Sequence, residues 1–268
     1  MRFSQTAILA ISGLAALHAQ VPPPTDAEME NFLRTAKVVS AKSLNVGITN
    51  SQRLTLEAPE RKHDAHFQTI DEYKASFQTA IGTEINFRDS WKYNVAGYKL
   101  DRLLNLNMTP VTIERKIHGK SGSLTWWVDD VAMMEVDRHK NKMQPPDQEA
   151  WNCQMHVVRV FDQLIYNIDR NLQNLLITTD WKLWMIDHTR AFRLFQDLRE
   201  PKNLTRCDRT LMERLKQLSF PQLVKTMKGY LNELEVKGLL ARRDKIVRLF
   251  EQRAAQDQDV LYDMKVRR

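Results

Sequence analysis

The sequence predicts an α+β fold in two unequal halves: a small antiparallel sheet carrying one helix, followed by a larger and mainly helical part. Three observations carry this expectation. Short strand-like runs separated by turn residues recur between Val38 and Val128. Beyond residue 129 the apolar residues fall at helical spacing, except for one hairpin pattern ending on Asp187. With 43% hydrophobic content, 268 residues are enough to bury two cores.

Arg2 gives the chain a positive start, Ala7 to Leu17 is an apolar run too short to span a bilayer, and Leu17-His18-Ala19 reads as a cleavage site. The sequence therefore predicts a signal peptide over 1–19 and an exported chain starting near Gln20. No Cys follows the run to take a lipid anchor, and no later segment is long and apolar enough for a membrane helix. After Pro22 to Pro24, Thr25 caps a helix running through Asp26, Glu28 and Phe32 to about Lys37, the lead-in segment 20–37.

The small lobe spans 38–128. Val38 to Leu56 reads as two strands around a turn at Gly47-Ile48-Thr49-Asn50, and Ala65-His66-Phe67-Gln68 as a third. Asp89 or Ser90 caps a helix whose Val95, Tyr98, Leu100, Leu103 and Leu104 lie largely on one side. Val111-Thr112-Ile113 and Leu124 to Val128 flank the basic turn His118 to Gly122, a hairpin in which Trp126 and Trp127 read as packing residues.

The large lobe, 129–268, opens with a charged helix from Val131 to Lys142 that Pro145-Pro146 breaks. Asp147 caps a long helix with Val157, Val160, Phe161, Leu164 and Ile165 on its buried face. Asp169 sits where the chain leaves that helix, and Asn174 follows. Leu175-Leu176-Ile177 and Lys182 to Ile186 form a hairpin across Thr178-Thr179-Asp180, and the returning strand ends on Asp187. After Phe192 the chain reads as helices at Asp208 to Leu218, Phe220 to Leu231 and Glu235 to Gln252, with Leu239, Ile246 and Leu249 on the buried face of the last. Ser219-Phe220-Pro221 separates the first two. One carboxylate, one amide and a second carboxylate at the mouth of a hairpin suit a hard cation such as magnesium, with a base beside it.

The wording N-x-D-R-x-x-x-N from Asn167 to Asn174, followed by Ile186-Asp187, resembles the phosphatidylinositol 3-/4-kinase-like branch of atypical kinases, which includes the Golgi casein kinase-type secretory kinases and the HipA-type kinases. Tyr98 to Arg115, YKLDRLLNLNMTPVTIER, is similar to the helix and strand pair of the Golgi casein kinase type. The resemblance implies a bilobal protein-kinase-like fold. It implies that Asp169 accepts the acceptor's proton and that Asn174 and Asp187 hold magnesium or manganese against the phosphates of ATP or another nucleoside triphosphate. It further implies that Arg170 pairs with a neighbouring carboxylate or phosphate and that the backbone from Val128 to Val131 receives the adenine.

The sequence departs from that pattern in the small lobe. Where the family has a strand Lys paired with a helix Glu, Phe67-Gln68 offers Gln68 and the helix offers Asn94. The two charges are lost together, as a neutral Gln–Asn hydrogen bond requires, because one unpartnered charge in a semi-buried site is costly. Lys74 and Lys92 are near enough in sequence to stand in, although their ordinary role is as exposed lysines. The turn at 47–50 lacks the glycines of a phosphate loop; Thr49, Asn50 and Ser51 would have to present their N–H groups instead. His188-Thr189 stands where relatives carry a pair ending in Gly, and His188 reads as a packed imidazole.

Two functions follow, with a third more distant. One is an exported kinase that transfers phosphoryl to a protein or small-molecule hydroxyl; the other is a pseudokinase that serves as a binding or scaffold module. Metal-dependent hydrolysis or nucleotidyl transfer would use the same side chains. The formal charge of +7 suits an anionic partner such as nucleotide phosphates, with no nucleic-acid motif present. Cys153 and Cys207 are too few for a disulfide scaffold and too far apart for a zinc knuckle.

Overall fold

The computed structural model describes residues 23–44, 51–79 and 82–264. The expected signal peptide and the turn at Gly47 to Asn50 lie outside the described residues.

Helix α1 (Asp26–Thr35) opens with a capping box: Thr25 Oγ1 accepts from the Glu28 backbone, and Glu28 returns the bond to Thr25 N. Strands β1 (Lys37–Ser43), β2 (Gln52–Ala58) and β3 (Arg61–Gln68) then form an antiparallel meander. Strands β6 (Thr112–Ile117) and β7 (Lys120–Trp126) complete the five-stranded order β1-β2-β3-β7-β6. One face of this sheet is apolar: Leu54, Leu56, Ala65, Phe67 and Leu124 pack with Phe32 and Leu33 of α1. The other face carries Gln68 and His66, two residues apart on β3 and so on the same side.

Between β3 and the following helix lies a separate two-stranded hairpin, β4 (Asp71–Thr79) and β5 (Gly82–Ser90), which the sequence reading did not anticipate. Its polar outer face hides the alternation. Helix α2 (Lys92–Leu103) consequently starts later than expected. Asp89 and Ser90 belong to β5, and Trp91 is the N-cap with no side-chain capping bond. Ser90 Oγ donates instead to Asp71 at 2.7 Å and accepts from Lys92 N at 3.3 Å. Tyr98 of α2 joins the small-lobe core, while Tyr93, Ala96, Leu100 and Leu104 join the larger one. The helix is shared by both cores.

The charged helix expected from Val131 is also corrected. Val131–Met134 is strand β8, paired with β9 (Leu175–Thr178), and helix α3 spans only Glu135–Lys140. Asp137 accepts from Met134 N at 3.2 Å and closes the first turn there, after the apolar residues have been used in the sheet. Helix α4 (Gln148–Ile165) is capped by Asp147 as expected and ends on Tyr166 in the left-handed region. Strands β8, β9 and β10 (Leu183–Met185) make a small sheet in the order β10-β9-β8. Helices α5 (Arg209–Gln217), α6 (Phe220–Thr226) and α7 (Glu233–Ala254) are capped by Asp208, Ser219 and Asn232. The second of these is shorter than expected. Strand β11 (Cys207–Asp208) pairs in parallel with β12 (Leu261–Tyr262) near the end of the chain. Cys153 and Cys207 are both buried free thiols.

Candidate active site

The helix, loop and hairpin order of 147–187 forms as the sequence implies, and one side chain ties the loop to the hairpin. Arg170 ion-pairs with Asp162 of α4 at 3.0 Å, and its Nη1 donates to the carbonyls of Asn174 at 2.9 Å and Ile186 at 2.8 Å. The residues on either side of those carbonyls are thereby fixed relative to α4. Ile186 N donates to Asn174 O at 3.1 Å, which closes the same ring of contacts. Arg170 thus holds the loop, its guanidinium paired with a carboxylate and two carbonyls.

Asn167 folds the loop back on itself. It is buried, donates to Asp162 Oδ1 at 3.1 Å and accepts from Asp169 N at 3.0 Å. The Asp169 side chain remains 43% exposed, so its carboxylate is accessible to a substrate. Asn174 Nδ2 donates to Asp169 O at 3.1 Å, which leaves its oxygen as the group able to meet a cation. Asp187 adopts φ 53°, a left-handed conformation that Asp tolerates better than most residues, and its Oδ1 accepts from Thr189 Oγ1 at 3.0 Å.

The small-lobe residues bond to one another and to the residue after Asp187. Asn94 Nδ2 donates to Gln68 Oε1 at 2.7 Å and approaches Ser123 Oγ at 3.2 Å, while Asn94 Oδ1 accepts from His188 N at 2.8 Å. Gln68 is 1% exposed and Asn94 6% exposed, so this is a buried, neutral contact from β3 through α2 to the residue after Asp187. His188 is 1% exposed and packs edge-on against Phe161. Burial pushes its imidazole well below the ordinary histidine value, with the Arg170 charge acting in the same direction. Burial also pushes His66 down, and the charge of Asp187 opposes it; His66 shares its face of β3 with Gln68.

Two of the small-lobe candidates do not join this group. Lys74 pairs with Glu72 at 3.1 Å and lies over the Phe77 and Phe87 rings, and Lys92 pairs with Asp71 at 2.9 Å. Both are on or beside the β4–β5 hairpin. Val128 lies just past β7, half-buried, in the connection to β8.

That hairpin brings residues the sequence reading overlooked. Asp89 adjoins Asp187 through Thr189, and its Oδ1 is buried without a hydrogen-bond partner. Burial pushes the Asp89 carboxyl up, a hydrogen bond from Thr189 opposes this, and the nearby Asp187 charge adds to it. Glu84 faces Arg190 and Arg193 of the segment after Asp187. Only the pairing of two strands rich in exposed polar residues could have pointed to either carboxylate. Asp169 and Arg170 themselves line a polar cavity of about 380 Å³, with Arg159, Asn167, Arg199 and Glu200 among its other walls.

No model of a known protein family matches the chain, and no curated protein matches it. Solved structures do. A hydra Fam20 solved with sugar superposes with a TM-score of 0.61 at 15% identity, covering 90% of this chain and 93% of that one. A Golgi casein kinase with Mn and ADP bound gives 0.60 at 13% identity, covering 87% and 79%. The fold is that of an atypical kinase. The Helicobacter pylori proinflammatory kinase CtkA, at 9% identity, gives 0.51 and is covered over 98% of its length. The kinase fold found by superposition agrees with the resemblance carried by Asn167 to Asn174 and Ile186-Asp187, which are short stretches of the whole.

Proposed function

We propose that the protein is a metal-dependent atypical kinase that transfers phosphoryl from ATP, or another nucleoside triphosphate, to a hydroxyl group. The observation that carries this reading is the assembly of Asp169, Asn174 and Asp187 around Arg170, whose three-way bonding holds base and ligand positions in register. Asp169 orients the acceptor hydroxyl and takes its proton. The polar cavity that Asp169 lines receives the acceptor, a protein or a small molecule.

The donor set fits magnesium or manganese. Asp187, Asn174 and the unpartnered Asp89 Oδ1 are hard oxygens, and among the described residues no three His, Cys, Asp or Glu side chains cage an ion by themselves. Such a site suits a cation that takes one or two carboxylates and completes its shell with substrate phosphates. The metal supplies positive charge against the phosphates. Gln68 and Asn94 line the same cleft and set its phosphate end, and the Val128 connection receives the base. The apolar run at Ala7 to Leu17 supports export, and no helix among the described residues is long and apolar enough to cross a membrane.

A second reading has its own observation. The buried Gln68–Asn94 bond replaces a cation that would contact phosphate, and this favours a pseudokinase that binds partners without turnover. Thermal unfolding with ATP, ADP and GTP, each with and without magnesium or manganese, tests the nucleotide site. A ligand at a hundred times its dissociation constant adds about 2.7 kcal/mol to stability. The kinase reading expects a metal-dependent shift that Asp187→Asn abolishes while the ligand-free unfolding temperature stays close to wild type, since Asn also accepts from Thr189 and tolerates the left-handed backbone. No shift with any nucleotide counts against it.

A further inference from the structure

The segment after Asp187 carries two guanidinium groups that share one carboxylate. Arg193 is 6% exposed and brings Nη2 to 2.8 Å from Glu84 Oε1, yet its Nε and Nη1 are buried with no hydrogen-bond partner among the described residues. Arg190 donates from Nη2 to Glu84 Oε2 at 3.3 Å, and its own Nε is buried and unpartnered. The Arg190 guanidinium lies 5.1 Å over the Phe87 ring and reaches to 4.0 Å from Asp169 Oδ2. Arg190 is the one cation within ion-pair distance of Asp169 among the described residues. One positive charge is left over by Glu84, next to the carboxylate read as the base.

Arg170 and the lysines on or beside the hairpin already have partners. Arg170 is bound to Asp162 and two carbonyls, Lys74 to Glu72 and Lys92 to Asp71, while β3 offers the amide Gln68. A transferring phosphoryl group spreads charge over three oxygens, and a planar guanidinium with free N–H groups matches them better than an ammonium does.

We propose that Arg190 is the catalytic cation that binds the transferring phosphoryl group, and that Glu84, presented by the β4–β5 hairpin, is the positioning residue that aims it. This rests on the kinase reading above. The acceptor oxygen forms a bond to the γ-phosphorus as the bond from that phosphorus to the β,γ-bridging oxygen breaks. The nucleoside diphosphate leaves with that electron pair, and the acceptor proton passes to Asp169. Arg190 changes no covalent bond; it donates to the equatorial oxygens, with Phe87 under its face and Glu84 fixing its far side. The hairpin is then part of the catalytic apparatus rather than an ornament of the small lobe.

The test is thermal unfolding of the full chain with manganese and ADP, with and without aluminium fluoride as a planar mimic of the group in flight, alongside manganese-dependent ATP hydrolysis. Wild type is expected to show an ADP shift and a further shift on adding fluoride. Arg190→Gln keeps the ADP shift, loses the further one, and hydrolyses ATP about a hundredfold more slowly with KM within a few-fold. Arg190→Lys restores part of the rate, and Glu84→Gln shows a smaller loss of the same kind. If Arg190→Gln keeps the fluoride increment, or hydrolyses ATP faster because Arg190 merely masks Asp169, the proposal is overturned while the kinase reading stands. If wild type shows no ADP shift at all, both fall.

Discussion

On the large-lobe side of the cleft, Asp169, Asn174 and Asp187 are held by an ion pair, Arg170 with Asp162; on the small-lobe side, Gln68 and Asn94 are held to each other by an uncharged hydrogen bond. Both assemblies are buried or half-buried, and both tie a strand or loop to a helix. They differ in what happens when one partner is lost. The ion pair leaves a buried charge and takes one donor from each of two carbonyls, of which Asn174 O keeps the Ile186 N–H, whereas the amide pair leaves an unsatisfied polar group. A neutral brace can keep the small lobe in place with no phosphate bound, and the charge it omits must come from elsewhere if phosphoryl transfer is to occur. The segment after Asp187 brings two guanidinium groups, Arg190 and Arg193, to a shared Glu84, with Arg190 also 4.0 Å from Asp169.

The largest effect expected from breaking this contrast is at Arg170. Arg170→Ala should lower unfolding stability by about 3–5 kcal/mol, because Asp162 would keep a largely buried charge without its cation and the Ile186 carbonyl would lose its side-chain donor. Denaturant titration measures this, and the nucleotide shift should vanish with it. A loss under 1 kcal/mol would show that the loop holds itself without the ion pair. The next largest is at the amide brace. Gln68→Lys should cost about 2–3 kcal/mol, since an ammonium replaces an amide that is 1% exposed, beside an Asn that cannot neutralise it. Adding Asn94→Glu should recover most of that, because a carboxylate also accepts from His188 N. A double-mutant cycle reads the coupling directly, and additive effects would show that the two residues no longer communicate.

The large-lobe arrangement was legible because its signals are local. Asp169, Asn174 and Asp187 lie within one helix–loop–hairpin unit, and the cap Asp147 stands next to the helix it serves. The β4–β5 hairpin was not legible. Tyr73 and Ile85 are 58% and 61% exposed, so the alternation that marks a half-buried strand is absent, and the hairpin is defined by pairing rather than by a buried face. For the same reason Asp89 reads in sequence as a helix cap, and Glu84 has no signature at all. The start of α3 was misplaced because Val131-Ala132-Met133-Met134 suits a helix or a strand by composition, and only its partner β9 decides. The Gln68–Asn94 contact was anticipated because the two departures from the family pattern occur at positions that face each other.

The smaller effects sharpen how tightly the two sides are joined. Gly97 of α2 faces His188: a Cβ there would come to 3.1 Å from His188 Cγ and 3.2 Å from Nδ1. Gly97→Ala should therefore cost about 1–2 kcal/mol despite the better helix propensity of Ala, and the strain falls on the residue that follows Asp187. A neutral or stabilising result would mean that the imidazole has room to retreat. The imidazole itself predicts a pH dependence. Its folded value is depressed, so below the ordinary histidine value near pH 6.5 the unfolded chain binds a proton that the folded one refuses. Stability is then complete above that value and declines as pH falls towards the depressed folded value. Between pH 7 and pH 5.5 the loss amounts to about 1 kcal/mol for one such group. His66 shifts in the same direction, so the comparison must be made within a pair of proteins that both retain it. Wild type should lose about 1 kcal/mol more stability than His188→Leu over that interval, measured by urea unfolding at each pH. Equal slopes would mean that His188 can accept a proton in place, and the packing between α2 and the segment after Asp187 would then be looser than the 3.1 Å approach to Gly97 implies.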